Sequence, residues 1–111
     1  MQHEMRLAKE PFEKIQNGTK IIESRLFDDK RKLINPGDFI LFRQSGDASQ
    51  EVKTKVIAIF RYDSFNDLMT EFQPLLFGGS STKELLAEIR RFYPEDEEKK
   101  YGVVGIKIVR I

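Results

Sequence analysis

A chain of 111 residues with 19 Lys/Arg against 18 Asp/Glu carries a net charge of only +1, which excludes a generally polycationic nucleic-acid coat. It has no cysteine and a single histidine, His3, which rules out disulfides, thiolate chemistry and a zinc site of nitrogen and sulfur ligands. No run reaches the length of a membrane span, and the first residues lack the apolar centre of a signal peptide. A cytoplasmic protein with no membrane partner, metal or cofactor is therefore expected. Its length reads as a single domain over residues 1–111, enough for one core without staples. The charge is unevenly spread: residues 1–62 hold 12 basic and 9 acidic side chains, residues 63–111 hold 7 and 9. A local basic patch can attract an anion even when the whole chain is near neutral.

In chain order, Glu4 to Ala8 alternates polar and apolar residues and predicts a short first strand. Glu10 to Asn17 predicts a helix, with Pro11 at its start, Phe12 and Ile15 as an apolar stripe, and Gly18 as the left-handed stop. A strand follows, in which residues two apart share a face. Glu23 and Arg25 thus lie on one face with Ile21 and Phe27, while Ile22, Ser24 and Leu26 lie on the other. Strict alternation puts Lys20 opposite Glu23, but Lys20 sits at the turn-to-strand junction, from which a long stem can swing into the same mouth.

Asp28 or Asp29 can cap one helical turn projecting Lys30, Arg31 and Lys32, and Asn35-Pro36-Gly37-Asp38 has the composition of a tight turn. Phe39 to Phe42 reads as a buried strand, and Ser45 to Gln50 as a flexible loop. Glu51 to Arg61 is a long strand whose two faces change character midway, as in a strongly bent barrel strand. Ser64 caps a helix with Asp67 at its third position, and Pro74 to Phe77 is a short turn leading into Gly78-Gly79-Ser80. Ser81-Thr82-Lys83-Glu84 is a capping box for a helix through Leu85, Ile89 and Phe92. Pro94 ends that helix and opens an acidic turn through Glu98, and Val103 to Ile111, apolar on both faces, reads as a central strand. Phe12, Phe39, Phe42, Phe60 and Phe92 are assigned to the core. Strands separated by short helices, without regular βαβ alternation, point to an α+β barrel.

The order and spacing of Pro11-Phe12-Glu13-Lys14-Ile15, Asn17-Gly18-Thr19-Lys20, Glu23-Ser24-Arg25, Pro36-Gly37-Asp38-Phe39-Ile40 and Tyr101-Gly102-Val103-Val104-Gly105-Ile106 resemble the ASCH (activating signal cointegrator homology) domain family, a branch of the PUA-like superfamily. The resemblance covers nearly the whole chain and is nearest to a small bacterial stand-alone type. It implies a PUA-like bent β-barrel with short helices packed across one opening, and a cleft between barrel and helices in which RNA is thought to bind.

The residues that can carry function are Lys20, the Glu23/Arg25 pair, the Lys30-Arg31-Lys32 run and the Gly78 to Thr82 loop. Arg25 presents a planar fork suited to a phosphate or a base edge, and Lys20 reads as a mobile point charge. Glu23 can accept from a base amino group or orient Arg25. Ser80 and Ser81, in a glycine loop opening a helix, can offer N–H groups to an anion. Tyr62, Phe65 or Tyr101 can stack on a base. Each also has a plainer structural role: an exposed ion pair, a self-neutralised basic turn, a chain reversal at the glycines, core packing for Tyr101. The resemblance also implies an enzymatic alternative, since some small ASCH-like proteins are amidohydrolases of N4-acylated cytidine nucleosides and others are described as ribonucleases. The amidohydrolases use a lysine soon after the glycine, a threonine three residues on, and a remote glutamate. Lys20 fits the lysine, but Glu23 stands where the threonine would be, and a carboxylate is no hydroxyl nucleophile. The favoured reading is a binding module for RNA or a modified nucleoside or nucleotide. A hydrolase using Lys20 and Glu23 as catalytic groups ranks second, and a protein adaptor using the acidic Glu95 to Glu98 segment third.

Overall fold

One strand nearly three times the usual length shapes the molecule. The computed structural model describes all residues, Met1–Ile111, and places this strand, β4, at Asp47–Tyr62. Before it come β1 (Gln2–Leu7), α1 (Lys9–Gln16), β2 (Ile22–Leu26), a 3₁₀ turn (Arg31–Leu33) and β3 (Phe39–Gln44). After it come α2 (Phe65–Glu71), a 3₁₀ turn (Pro74–Phe77), α3 (Thr82–Arg90), α4 (Glu95–Tyr101) and β5 (Val103–Arg110). The five strands form one curled half-barrel sheet in the order β1-β3-β4-β5-β2, with β1 and β3 parallel and the other pairs antiparallel. This is the expected α+β, PUA-like architecture.

The change of face within β4 has a specific cause. The pairing with β5 shifts between Val56, opposite Ile108, and Ala58, opposite Lys107, so Ile57 bulges out and is 48% exposed. One extra residue inverts the parity of the remaining strand. Val52 and Val56 pack against the core on the concave face before the bulge; after it Ile59 does so, and Phe60 turns to the opposite cluster.

Each face of the sheet buries its own core. The concave side holds Met5, Ile40, Phe42, Val56, Val104, Ile106 and Ile108, closed by Phe12 and Ile15 of α1. Across the sheet, Ile22, Leu26 and Val103 pack against Phe65, Leu68 and Met69 of α2 and Phe77. Gly105 lets α2 approach, because a Cβ there would lie 2.8 Å from the Leu68 side chain. Each of the larger fully buried side chains contributes roughly 1.5–3 kcal/mol by leaving water. The curl brings the two edge strands together, and the Arg25 guanidinium of β2 donates to the Arg6 carbonyl of β1 at 3.0 Å.

Three expectations need correction. Ser45 to Gln50 is not a flexible loop: Gln44 pairs with Asp47, leaving a two-residue turn in which Gly46 takes φ +85°. Phe92 is not core but 62% exposed, because α3 stops at Arg90 and the chain turns before Phe92 can join the helix's apolar stripe. The acidic segment read as a candidate adaptor surface is not wholly available: in α4 Glu98 is buried, accepting from the Phe65 N–H at 3.0 Å and from Arg90 at 3.3 Å. It satisfies an otherwise orphaned donor at the start of α2, beside the Ser64 cap. No helix is long and apolar enough to cross a membrane.

Candidate functional site

The site begins at the turn between α1 and β2. Gly18 takes φ +84°, the Asn17 side chain accepts from the Thr19 N–H at 2.9 Å, and the Lys20 N–H returns to the Lys14 carbonyl at 3.0 Å. These contacts aim the Lys20 stem beneath Gly78, where a Cβ would come within 3.2 Å of it. The Lys20 ammonium then donates to the carbonyls of Ile22 and Phe77, both at 3.0 Å, and faces Glu23 Oε1 at 3.2 Å. An ammonium has three protons, and three acceptors surround this one. Lys20 is therefore a fixed strut between β2 and the Pro74–Phe77 turn, not the mobile charge expected from sequence. Its position off strict alternation follows from β2 starting only at Ile22.

The second oxygen of Glu23 accepts from Arg25 Nε at 2.7 Å, so the carboxylate sits between two cations. The side chains of Lys20, Glu23 and Arg25 are 8%, 6% and 13% exposed. Burial alone would push the Glu23 carboxyl up. The Lys20 ammonium and Arg25 guanidinium outweigh it and hold the group below the usual carboxylate range. Burial likewise opposes the charge on Arg25, but the Glu23 carboxylate, and after it the Tyr93 phenol, hold its proton more firmly than usual. Of the guanidinium nitrogens, Nε is taken by Glu23 and Nη2 by the Arg6 carbonyl, and the Tyr93 phenol is a further hydrogen-bond partner of the group. The fork is thus anchored on two sides and faces a half-buried tyrosine whose ring stacks on Phe65 at 5.6 Å.

Not every candidate joins this group. Ser80 and Ser81 are occupied at the start of α3: the Ser80 hydroxyl donates to Glu84 at 2.6 Å and the Ser81 hydroxyl accepts from the Glu84 N–H at 3.1 Å. The Ser80 hydroxyl, and then its N–H, hold the Glu84 carboxyl below its usual range. Ser80 spends both its hydroxyl and its N–H on Glu84, and the Ser81 hydroxyl is engaged as the cap of α3. Phe65 is fully buried and cannot stack on a base. Ser24 faces away from Glu23, its Oγ buried without a hydrogen-bond partner. Tyr101 ends α4 and lines a separate recess with Arg61 and Tyr62. Arg31 folds back on Asp28 at 3.3 Å, so the basic run is partly neutralised by its own cap. A recess of about 230 Å³ adjoins the strut, lined by Ile15, Gly18, Lys20, Thr54 and Arg110 among others. Nowhere do three His, Asp or Glu side chains gather in a way that could hold a metal ion.

Sequence reasoning missed Tyr93 and Glu98. Nothing local marks Tyr93, whose role depends on the far end of α3 meeting β2. Glu98 carried a weak signal, being three residues before Tyr101 on a helix that must bury one face.

The ASCH domain family model matches residues 5–111. The hypothetical protein PH0355 is 42% identical, with both chains covered in full and a TM-score of 0.88. Protein PF0455 from Pyrococcus furiosus is 40% identical over 100% of this chain and 98% of that one, with a TM-score of 0.74. ZmASCH from Zymomonas mobilis, at 15% identity and a TM-score of 0.60 over 96% of this chain and 66% of its own, shares the fold alone. No curated protein matches the chain. These likenesses establish the family and do not extend to a bacterial branch of it.

Proposed function

The chain belongs to the ASCH domain family, and from that premise we propose that residues 1–111 act as a single cytoplasmic domain that binds RNA or a modified nucleotide where the two edges of the curled sheet meet. The observation that carries this reading is Arg25: a guanidinium held in place by Glu23 and the Arg6 carbonyl, with the Tyr93 phenol alongside. A fork already fixed in place loses little freedom when it accepts a phosphate or a base edge. Glu23 and Lys20 serve as its foundation, and the Tyr93 ring gives a base a surface to stack on.

Fluorescence titration with short single-stranded RNAs and with a nucleoside panel that includes N4-acetylcytidine tests this. Arg25→Ala is expected to weaken binding by about 1.5–3 kcal/mol, the usual worth of a hydrogen bond to a charged group, with the fold verified by near-UV circular dichroism. Arg25→Lys should not restore it, since an ammonium cannot reproduce the fork. If neither RNA nor nucleoside binds saturably at low salt, the proposal fails.

The hydrolase reading stays second. Its support is the buried contact between Lys20 and Glu23 at 3.2 Å. Against it, the ammonium is surrounded by acceptors and the carboxyl is held ionised, which suits neither a general base nor a proton donor. Release of acetate from N4-acetylcytidine, lost in Lys20→Ala and in Glu23→Ala, would promote it to first.

A further inference from the structure

Three elements end together at Gly102 and Val103. Phe27, just past β2, donates its N–H to the Gly102 carbonyl at 3.0 Å, Tyr62 at the end of β4 pairs with Val103, and α4 stops at Tyr101. Gly102 makes the reversal from α4 into β5 possible with φ +70°, in a region closed to other residues. The convergence leaves a recess of about 610 Å³ walled by the half-buried rings of Phe27, Tyr62 and Tyr101 and rimmed by Arg61, Lys99 and Lys100.

The cations explain themselves only in part. Lys99 and Lys100 close the last turn of α4, where the helix dipole favours positive charge. That does not account for Arg61, which comes from a different element and lies over the Phe27 ring at 4.1 Å, while Lys100 lies over the Tyr101 ring at 5.1 Å. None of the three has a carboxylate within 4.0 Å. Asp63, the one acid on the wall, is likewise unpaired. Among the other arginines, Arg25, Arg31, Arg43, Arg90 and Arg91 reach a carboxylate, while Arg6 and Arg110 do not. Unpaired cations in a concave site suit a ligand with a negative charge, and Tyr62, the one wall ring with no cation over it, is left to meet a flat π-surface.

We infer that this recess is a second nucleotide-binding site, taking one unit of single-stranded RNA with its base against Tyr62 and its phosphate on Arg61, Lys99 and Lys100. It shares its ligand class with the proposed function but none of its residues. Stacking gives sequence tolerance, and the cations give the requirement for a phosphate.

The test is a titration of the ¹⁵N-labelled chain, followed by amide chemical shifts, with uridine, uridine 5′-monophosphate and single-stranded hexauridylate. Amides of residues 61–63 and 99–102 should move with the monophosphate and the hexamer, and far less with uridine. Arg61→Glu combined with Lys100→Glu, both exposed positions, should weaken the hexamer at least about tenfold with the rest of the spectrum unchanged. Raising salt from about 50 to 200 mM should weaken it about 2.6-fold, as expected when one phosphate is neutralised. Shifts confined to residues 23–25 and 93 would overturn this inference and leave the proposed function standing. Shifts confined to the recess would support it and count against the Arg25 reading, and no shift anywhere would overturn both.

Discussion

Glutamine at position 23 is nearly isosteric with the native glutamate and removes the one negative charge that two buried cations share. Taking one partner from a buried ion pair costs about 3–5 kcal/mol, because the remaining charge stays desolvated. The lower end applies here: Lys20 keeps two carbonyl acceptors at 3.0 Å, and Arg25 keeps the Arg6 carbonyl. Glu23→Gln should therefore lose roughly 3 kcal/mol in urea unfolding at pH 7, and its melting temperature should fall by about 12–24 °C for a domain near 100 residues. The effect should depend on pH. The folded carboxyl lies below its usual range, so the stability it supplies is fully present above the unfolded value of about 4.3 and is lost as pH falls toward the folded one. The gap between native and variant should hold from neutral pH down to about 5 and narrow below about 4. A Lys20→Met/Glu23→Gln double-mutant cycle should show coupling above about 1 kcal/mol, since the groups touch. A variant within about 0.5 kcal/mol of the native chain at pH 7, or a gap that does not narrow in acid, would refute the description of Glu23 as an ionised keystone.

Asp38 gives a second acid signature: the His3 ring, then the Asn35 N–H, bring its carboxyl from the ordinary 3.8 down to about 2. Its contribution is present above its ordinary value and lost as pH falls through about 2, so carboxyl NMR should find that midpoint and Asp38→Asn should flatten the stability curve over that window. Gly102→Ala would force a side chain into φ +70° and set its Cβ 3.3 Å from the Tyr62 carbonyl, with an expected loss of about 1–3 kcal/mol by urea unfolding. Phe12→Ala should cost about 3–5 kcal/mol and Phe92→Ala less than about 0.5 kcal/mol, and the same unfolding assay separates them.

The legible parts of the chain were those set by neighbours in sequence. Ser64 and Ser81 cap their helices, Gly18 ends α1, and Asp28 holds the basic turn, because each acts over no more than four residues. The period of two also placed Glu23 and Arg25 side by side on β2, and their bond at 2.7 Å follows from that spacing. The change of character along β4 was visible as a pattern, while the bulge at Ile57 that produces it required β5 as the measuring strand. Phe92 escapes the pattern because a helix's stopping point depends on competition with the next segment, here the turn before Pro94.

Sequence by itself determined most of the elements, the helix caps and the pairing of an acid with a base two residues apart, but not where β4 begins or α3 ends. Tertiary structure alone decided that the acid is buried, that Lys20 reaches a carbonyl 57 residues away in Phe77, and that Arg25 meets Arg6 and Tyr93. The reason is that burial and charge pairing belong to surfaces brought together by the curl of the sheet. Where an edge strand comes to rest depends on the summed twist of all five strands, which no single segment encodes.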